Sequence, residues 1–416
     1  MQTATSDRPR SAADTTPLDK FDVADPRLFQ DDTIESYFAR LRREDPVHYC
    51  AESRFGPYWS VTKYKDIMSV EINHKVFSSD VMLGGITVRD LPMEHRRPMF
   101  IQADPPKHDE QRKAVSPIVA PTNLARMESL IRSRTQEVLD SLPRNEVFDW
   151  VPKVSIELTT RMLATLFDFP FEDRHLLTWW SDVTTADVTA GGPIDSDEKR
   201  SAELMHCYAY FKRLFDERQA LPPRNDLVSM LAHNPATANL PPMEFLGNVM
   251  LLIVGGNDTT RNSMSGGMLA MLQNPGEWKK LRESPSLVPN AVSEIIRWQT
   301  PISHMRRTAV ADFELGGKSI RKGDKVVMWY LSGNRDEDSI ERPHEFLVDR
   351  RNARQHLSFG FGIHRCVGNR LAELQLRILW EEILARFETI EQAGPEKRLF
   401  SNFVHGITSL PVRIPG

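Results

Sequence analysis

The residues best suited to chemistry lie in a glycine-rich stretch with a single cysteine, Phe359 to Gly368. Its glycines permit backbone torsions and close approaches that a Cβ would block, so a flat ligand can lie against the loop with the sulfur of Cys366 directed at its centre. A helical pattern begins at Asn369, and the free N–H groups of a helix N-terminus favour an anionic sulfur. A free cysteine is more often an inert buried thiol, but such a thiol needs no glycines around it. The stretch therefore predicts a metal thiolate.

A second reactive pair, Asp258 and Thr259, follows Gly255 and Gly256 inside a long apolar pattern between Asn239 and Asn274. A helix of about thirty residues would span about 45 Å, the width of a domain. The glycines and threonines weaken its hydrogen-bond ladder, so we expect a local opening there. A hydroxyl beside a carboxylate in such an opening can hold water and relay protons. The alternatives are an N-cap with a back-bonded threonine, or a phosphate-binding loop, although the Lys-Ser/Thr ending of such a loop is absent.

Charged pairs at helical spacing accompany these two segments. His108 and Arg112 lie four residues apart, hence on one helix face, and can bind the same anion. The segment from Asp104 to Pro106 predicts the start of their helix, with Asp104 as N-cap. Glu294 and Arg297 stand among apolar residues, so we expect a buried pair that requires a third charged partner.

The remaining patterns indicate mostly helices with a few strands. Apolar periodicity predicts helices from Asn123 to Leu142, Val154 to Phe167, Arg174 to Asp187, Glu198 to Gln219 and Val288 to Gln299. Alternation predicts short strands near Val47 and Tyr58, an antiparallel sheet from Arg306 to Tyr330 and a small hairpin from Asn402 to Val412.

Two irregular segments have open interpretations. Ser78 to Gln102 mixes apolar residues with glycine and proline, as in a loop that plugs a core or one that contacts a substrate. The break from Gly191 to Asp195 separates two helices and is either part of a lid or an ordinary surface loop.

Length and composition favour one large domain. The 416 residues contain no Gly/Ser-rich linker or repeat, which predicts an N-terminal arm with a first helix over residues 1–45 and a single domain over residues 46–416. The 53 basic and 57 acidic residues nearly balance, so no bulk charge favours a nucleic-acid partner. The longest apolar run, Val249 to Val254, is too short to cross a bilayer.

The chain start and the cysteines predict the compartment. Met1 to Lys20 is polar and lacks the apolar core of a signal peptide, so we expect a loose arm and a cytoplasmic protein. Cys50, Cys207 and Cys366 are odd in number and widely spaced, which disfavours a disulfide framework.

Five motifs in order resemble those of the cytochromes P-450. They are His-x-x-x-Arg at His108, Gly-Gly-x-Asp-Thr-Thr at Gly255, Glu-x-x-Arg at Glu294, Pro-x-x-Phe-x-x-x-Arg at Pro343, and Phe-Gly-x-Gly-x-His-x-Cys-x-Gly at Phe359. The resemblance covers the chain from about Tyr58 onward. It implies a mainly α fold with a small β region, in which haem b lies between the long central helix and the cysteine loop.

The resemblance also implies roles for individual residues. It implies that Cys366 ligates the haem iron, that Asp258 and Thr259 deliver protons to bound dioxygen, and that Arg350 completes a structural triad with the buried pair. Thiolate ligation favours cleavage of the O–O bond. The expected haem contacts are His108, Arg112, Arg307 and His364, which would hold the propionates, together with Phe359 and Gly255.

Within the family, the chain resembles the soluble bacterial terminal hydroxylases of alkanes and fatty acids. The segments that carry this likeness are Phe55 to Val61, Phe77 to Asp80, Ser116 to Pro121, Gly255 to Asn262 and His364 to Arg370. This likeness implies omega-hydroxylation of medium-chain alkanes or fatty acids, with dioxygen as oxidant and electrons from a [2Fe-2S] ferredoxin and its NAD(P)H-dependent reductase. The alternatives are a monooxygenase for a terpene or steroid, a peroxygenase, and a haem-thiolate sensor.

Attack at a terminal methyl requires steric restraint, because internal C–H bonds are weaker. We expect a narrow apolar tube that admits only the methyl end. Its predicted walls are Leu83, Ile86, Val88, Leu251, Val254, Ile302, Met305 and Val404. Basic residues near the cysteine loop, namely Lys113, Arg365, Arg370 and Arg377, are either a docking surface for an acidic ferredoxin or ordinary solvated charges.

Overall fold

A computed structural model describes residues 12–416 of the chain, which form mainly helices and a few small sheets. The helices are α1 (Ala12–Thr15), α2 (Pro26–Gln30), α3 (Ile34–Glu44), α4 (Tyr64–Ile72), α5 (Lys107–Val115), α6 (Pro121–Asp140), α7 (Glu157–Phe167), α8 (His175–Thr185), α9 (Asp197–Gln219), α10 (Leu227–His233), α11 (Pro242–Gln273), α12 (Pro275–Glu283), α13 (Val288–Gln299), α14 (Tyr330–Gly333) and α15 (Asn369–Arg386). A π-helical turn, Val151–Ile156, leads into α7. The predicted mainly α class with a small β region is confirmed.

The strands form one five-stranded sheet and smaller ones. They are β1 (Val47–Cys50), β2 (Tyr58–Val61), β3 (Phe77–Ser78), β4 (Val147–Asp149), β5 (His304–Ala309), β6 (Phe313–Leu315), β7 (Lys318–Ile320), β8 (Lys325–Trp329), β9 (Glu391–Gln392), β10 (Lys397–Arg398), β11 (Ile407–Ser409) and β12 (Pro411–Arg413). The large sheet has the order β1-β2-β8-β5-β3, with β2 parallel to β8. Every residue of β8 is buried, as expected of a central strand covered on both faces.

The N-terminal helices pack on this sheet. Phe29 and Phe38 lie against Trp329 of β8, with ring centroids 5.9 and 5.4 Å apart. Ala13 is completely buried, so the predicted loose arm is folded from Ala12 onward. Residues 1–11 of that predicted arm lie outside the described residues.

Helix α11 crosses the centre of the protein without interruption. The local opening expected near Gly255 is wrong, because α11 stays helical from Pro242 to Gln273. Glycines let its neighbours pack closely: a Cβ on Gly256 would lie 2.7 Å from a methyl carbon of Leu163, and α13 approaches in the same way farther along. At about 1.5 Å per residue, the helix is long enough to span the domain.

Two local predictions fail for identifiable reasons. The hairpin expected from Asn402 to Val412 does not form, because only Leu410 separates β11 from β12 and a hairpin needs a turn of at least two residues. Strand β11 pairs with β10 instead, and β12 pairs with β4 and β9. Asp104 does not cap α5, since its carboxylate accepts hydrogen bonds from the Ser79 N–H at 3.0 Å and from the Ser78 hydroxyl.

A buried ionic triad supports the segment before the cysteine loop. Arg297 Nε lies 2.8 Å from Glu294 Oε2, and Arg350 Nε lies 2.7 Å from the same oxygen. The Arg297 guanidinium also donates to the carbonyls of Asn334 and Pro343 at 2.8 and 2.9 Å. Because these groups satisfy one another, the triad ties α13 to the chain that leads to the loop.

Within residues 12–416, no helix combines the length and the apolar character needed to cross a bilayer.

Candidate active site

The Cys366 loop is shaped by its glycines and closed by a backbone hydrogen bond. Gly360 and Gly362 have φ values of 66° and 67°, in the left-handed region that favours glycine. A Cβ on Gly362 would lie 2.6 Å from the carbonyl oxygen of Glu71 in α4, so this close approach also requires glycine. The Cys366 N–H donates to the Phe359 carbonyl at 2.8 Å. The loop thus fixes the thiol immediately before α15.

The environment of the Cys366 thiol contains opposing influences. Burial raises the pKa of the thiol, whereas the N–H groups of Gly368 and Asn369 and the charge of Arg112 favour the thiolate. The thiol lies deep within the protein, and the accessible surface of Cys366 lines the central cavity. A metal ion bound in that cavity would displace the proton of the Cys366 thiol and stabilise the thiolate further.

A cavity of about 460 Å³ lies between α11 and the Cys366 loop. Gly255 and Thr259 line it from the helix, and Phe359 lines it from the loop. A Cβ on Gly255 would meet no protein atom within 4 Å, so this position leaves room for a flat ligand. Of the predicted substrate residues, six line the same cavity: Ile86, Val88, Leu251, Val254, Ile302 and Met305.

Two predicted wall residues do not line the cavity. Leu83 is 43% exposed at the protein surface, and its carbonyl accepts a hydrogen bond from the Thr308 hydroxyl at 2.8 Å. Val404 is fully buried and forms a β-bridge with Ile302, so it supports the wall from behind. The irregular segment from Ser78 to Gln102 nevertheless contributes to the wall through other residues, which favours the interpretation as a substrate-contacting loop over that as a core plug.

The four predicted anion-binding residues come together on one side of the cavity. The rings of His108 and His364 are 4.3 Å apart between centroids, and both residues line the cavity with Arg112 and Arg307. Burial and the nearby positive charges of Arg307, His108 and Arg112 together lower the pKa of His364 to about 2. Burial also lowers the pKa of His108 and of Arg112. The cluster therefore favours negatively charged groups.

This cluster fits the two propionates of haem b. Among the described residues, His108 Nε2 and His364 Nδ1 are buried without a hydrogen-bond partner, which is costly unless a ligand satisfies them. Two carboxylates would supply acceptors and offset the positive charge. Around this one cavity, the thiol of Cys366 suits the haem iron and the space beside Gly255 suits the flat ring. The cationic cluster suits the propionates.

One buried carboxylate beside the cluster, that of Glu71, could not be identified from the sequence. Glu71 Oε2 lies 2.9 Å from the Arg307 guanidinium, and its other oxygen accepts from the Tyr330 hydroxyl. The Phe361 N–H lies 3.4 Å from the same oxygen. Glu71 therefore links α4, the large sheet and the Cys366 loop. Glu71 lies within an ordinary helical pattern, so its spacing does not indicate that it links these elements.

Thr259 and Asp258 point in different directions from α11. The Thr259 hydroxyl lines the cavity and donates to the Gly255 carbonyl at 2.7 Å. Asp258 is fully buried and does not line the cavity; its carboxylate forms an ion pair with Arg261 at 3.0 Å. The sequence predicted that the two side chains would lie together in one opening. In the structure they do not.

Two hydroxyl groups of α8 complete the surroundings of Asp258. Ser181 Oγ donates to Asp258 Oδ1 at 3.0 Å, and the Thr185 hydroxyl lies between two acceptors, Asp258 Oδ2 at 3.2 Å and the Ser181 carbonyl at 3.1 Å. Thr185 also lines the cavity. Its hydroxyl therefore connects the buried carboxylate to the cavity, a link that the sequence does not reveal because α8 and α11 are distant along the chain.

Comparisons with known proteins agree with this site. The cytochrome P450 family model matches residues 198–414. Linalool 8-monooxygenase from Pseudomonas putida is 36% identical over 95% of this chain and 99% of its own length. Steroid C26-monooxygenase from Mycolicibacterium smegmatis is 34% identical over 95% of this chain and 94% of its own length.

Solved structures give the same answer. Cytochrome P450-153 from Novosphingobium aromaticivorans is 48% identical, with a TM-score of 0.89 over 94% of this chain and 98% of that chain. CYP153D17 from a Sphingomonas species is 49% identical, with a TM-score of 0.90 over 96% of this chain and 100% of that chain. Sequence, fold and cavity agree, and the chain belongs to the cytochrome P450 family, as a haem-dependent monooxygenase.

Proposed function

We propose that this monooxygenase hydroxylates the terminal methyl carbon of medium-chain alkanes or fatty acids. The observation that carries the proposal is the apolar wall that the central helix, the irregular segment and β5 present to one cavity with Cys366. Internal C–H bonds are weaker than those of a methyl group, so terminal attack requires walls that hold the chain end-on. Each buried methylene adds about 0.8 kcal/mol to binding, which favours an unbranched chain that contacts these walls along its length.

The likeness to terminal hydroxylases of alkanes and fatty acids supports this choice. The relatives add support through the positions in their names. C8 of linalool and C26 of a steroid are both chain-end carbons, although their substrates are branched. A terpene or steroid is therefore the second candidate substrate class, and it shares the terminal position of attack.

We assign the cofactor contacts to the residues whose placement fits them. Cys366 is the iron ligand, and His108, Arg112, Arg307 and His364 hold the propionates. Haem b, when bound, supplies the iron at which dioxygen is activated, and the thiolate favours O–O cleavage. The chain itself must then orient the substrate, exclude water and deliver protons.

Proton delivery uses two hydroxyl groups that line the cavity. The Thr259 hydroxyl donates its own proton to the Gly255 carbonyl, so its lone pairs accept a hydrogen bond from a water molecule in the cavity. That water is thereby held in position to donate a proton. In this route protonated Asp258 would donate to Thr185 Oγ1, 3.2 Å away, while the Thr185 hydroxyl gives its own proton to a water molecule in the cavity that Thr185 lines, so that one proton leaves for each that enters.

Electrons come, in this proposal, from a ferredoxin that docks near the Cys366 loop. Lys113 and Arg370 are exposed there together with Arg365, whose backbone carbonyl accepts from Arg112 at 2.5 Å. Arg377 contributes less, because Glu128 and Glu381 pair with it at 2.8 and 3.0 Å. An acidic partner would be steered to the three exposed cations.

Turnover with isotopically labelled dioxygen tests the proposal. The haem-loaded protein is supplied with NADH, a surrogate ferredoxin and its reductase, and a panel of medium-chain alkanes and fatty acids. We expect one labelled oxygen atom in each alcohol, and product identification by mass spectrometry gives its position. Alcohol formed only with added peroxide would indicate a peroxygenase, and binding without any product would indicate a sensor.

A further inference from the structure

The outer part of the cavity carries a charge that alkane binding does not require. Arg89 and Arg200 line the cavity along with its apolar walls. Resting on the proposed function, we infer that this arginine pair binds the carboxylate of a fatty acid, so that fatty acids rather than alkanes are the preferred substrates. The methyl end would then point toward Cys366.

The two arginines share a single carboxylate. Arg200 donates to Asp197 Oδ1, and Arg89 NH2 lies 2.7 Å from Asp197 Oδ2. Arg200 is only 8% exposed, and it also donates to the Val183 carbonyl at 3.2 Å and to the Ala186 carbonyl. Burial lowers the pKa of Arg200, and the charge of Arg89 lowers it further, although Asp197 opposes this. One carboxylate therefore does not fully compensate two guanidinium groups.

Arg97 adds a third positive charge behind this pair. It lies near Arg200 and donates to the Ser201 hydroxyl at 2.9 Å. Among the described residues its Nε is buried without a hydrogen-bond partner, and burial followed by the charge of Arg200 lowers its pKa. Arg89 and Arg97 contact the N-terminal end of α9 through Asp197 and Ser201, and the free N–H groups of that helix end also favour an anion.

The remaining charges at this end of the cavity do not cancel the excess. Asp187 lines the cavity, but Arg54 pairs with it at 2.6 Å. Counting Arg54, Arg89, Arg97 and Arg200 against the two aspartates leaves a positive excess.

Arg89 is the member best placed to bind a ligand. Within the described residues it donates only one hydrogen bond, to Asp197, of the five that a guanidinium can donate, and its side chain is 36% exposed. A carboxylate accepts two parallel bonds from such a group, which fixes its orientation as well as its position. The neighbouring residues Val88 and Ile86 continue the same segment as apolar wall. A single bound chain would thus contact the arginines with its head and the apolar wall with its tail.

Binding of matched ligands tests the inference. Dissociation constants for dodecanoic acid, methyl dodecanoate and dodecane are measured from the change in the haem absorption spectrum of the loaded protein. We expect Arg89→Gln to weaken binding of the acid about ten-fold and to change binding of the ester and the alkane less than about two-fold. Arg413→Gln is the control, since it removes an arginine from an exposed ion pair that does not line the cavity.

A measurement on the wild-type protein removes any dependence on folding of the variant. Raising NaCl from about 20 mM to about 500 mM should weaken binding of the acid and leave the ester unaffected, because screening acts on the charged ligand alone. Equal effects of Arg89→Gln or of salt on acid and ester, or no effect on either, would overturn the inference. Terminal hydroxylation of dodecane alone would overturn the inference but leave the proposed function standing. Attack on internal carbons of both ligands would overturn the proposed function itself.

Discussion

The hydroxyl of Thr259 and the thiol of Cys366 reach one cavity from two different elements, whereas the carboxylate of Asp258 turns away from it. Adjacent positions on a helix point about 100° apart, so neighbours in sequence need not serve one site. Thr185 lines the cavity and contacts Asp258, so the proposed route for protons from this carboxylate passes through Thr185.

Replacing Thr259 by alanine removes the hydroxyl that we propose as the acceptor for a water molecule in the cavity. We expect Thr259→Ala to keep haem and substrate binding but to consume NADH without forming an equal amount of alcohol, with peroxide released instead. The measurement is the ratio of product to NADH. Thr259→Ser keeps a hydroxyl and should restore most of the coupling; full coupling in the alanine variant would contradict this role.

Replacing Thr185 by valine breaks the link between Asp258 and the cavity while preserving side-chain volume. We expect Thr185→Val to lower kcat about ten-fold, with a larger solvent isotope effect, because proton delivery becomes slower. Thr184→Val is the matched control, since Thr184 also lines the cavity but its hydroxyl donates to the Trp180 carbonyl at 2.8 Å and does not contact Asp258. Identical isotope effects in the two variants would argue against the proton route.

At the scale of elements, the periodic patterns predicted most helices well. The prediction for α13, Val288 to Gln299, is confirmed at both ends, because its apolar face is clear and Thr300 follows in the left-handed conformation. The hairpin near the C-terminus and the opening in α11 were wrong. In the hairpin segment, pairing with strands from distant parts of the chain decided the outcome. In α11, close packing at glycines decided it.

Loss of Arg350 should destabilise the elements behind the Cys366 loop. Hydrogen bonds and charges from Arg297 and Arg350 outweigh burial and hold the pKa of Glu294 below its ordinary 4.5. Arg350→Ala leaves that buried carboxylate poorly compensated, at a cost of about 3–5 kcal/mol in the free energy of unfolding. Denaturant titration measures the loss, and Arg351→Ala, an exposed neighbour, is the control.

The same triad makes stability depend on pH in a defined direction. Because the folded-state pKa of Glu294 is depressed, its contribution is present above the unfolded value of 4.5 and is lost as pH falls through the folded-state pKa. The difference in unfolding free energy between wild type and Arg350→Ala should therefore shrink under acid. A difference that stays constant down to acid denaturation would argue against the ionic origin of the effect.

At the scale of the whole molecule, the pairing of strands that are distant along the chain could not be predicted from the sequence. The β strands near Tyr58 were predicted, but nothing indicated that β2 runs parallel to β8 in the same sheet. Of the arginines at the outer cavity, Arg89 and Arg97 belong to the irregular segment and Arg200 belongs to α9, so their spacing along the chain carries no signal. Of the cations around His364, His108 and Arg112 were predicted from a recognisable motif, and Arg307 was predicted from the resemblance to the family.

Docking of the electron donor belongs to this scale as well. Reversing charge in Lys113→Glu with Arg365→Glu should slow association with an acidic ferredoxin at low salt, because steering depends on long-range charge. Reduction rates at low and high salt give the measurement. Reversal of Arg321 and Lys322, in the turn before β8, is the control. Rates that do not depend on salt in the wild-type protein would reject this docking surface.

The central claim is that the apolar walls around Cys366 hold an unbranched chain so that its methyl end is oxidised. The most direct test is the ratio of terminal to internal alcohols that the wild-type enzyme forms from dodecanoic acid and dodecane, with products identified by mass spectrometry. The account predicts the terminal alcohol as the main product, and Leu251→Ala should shift product toward the penultimate carbon. Mostly internal alcohols from the wild-type enzyme would contradict it.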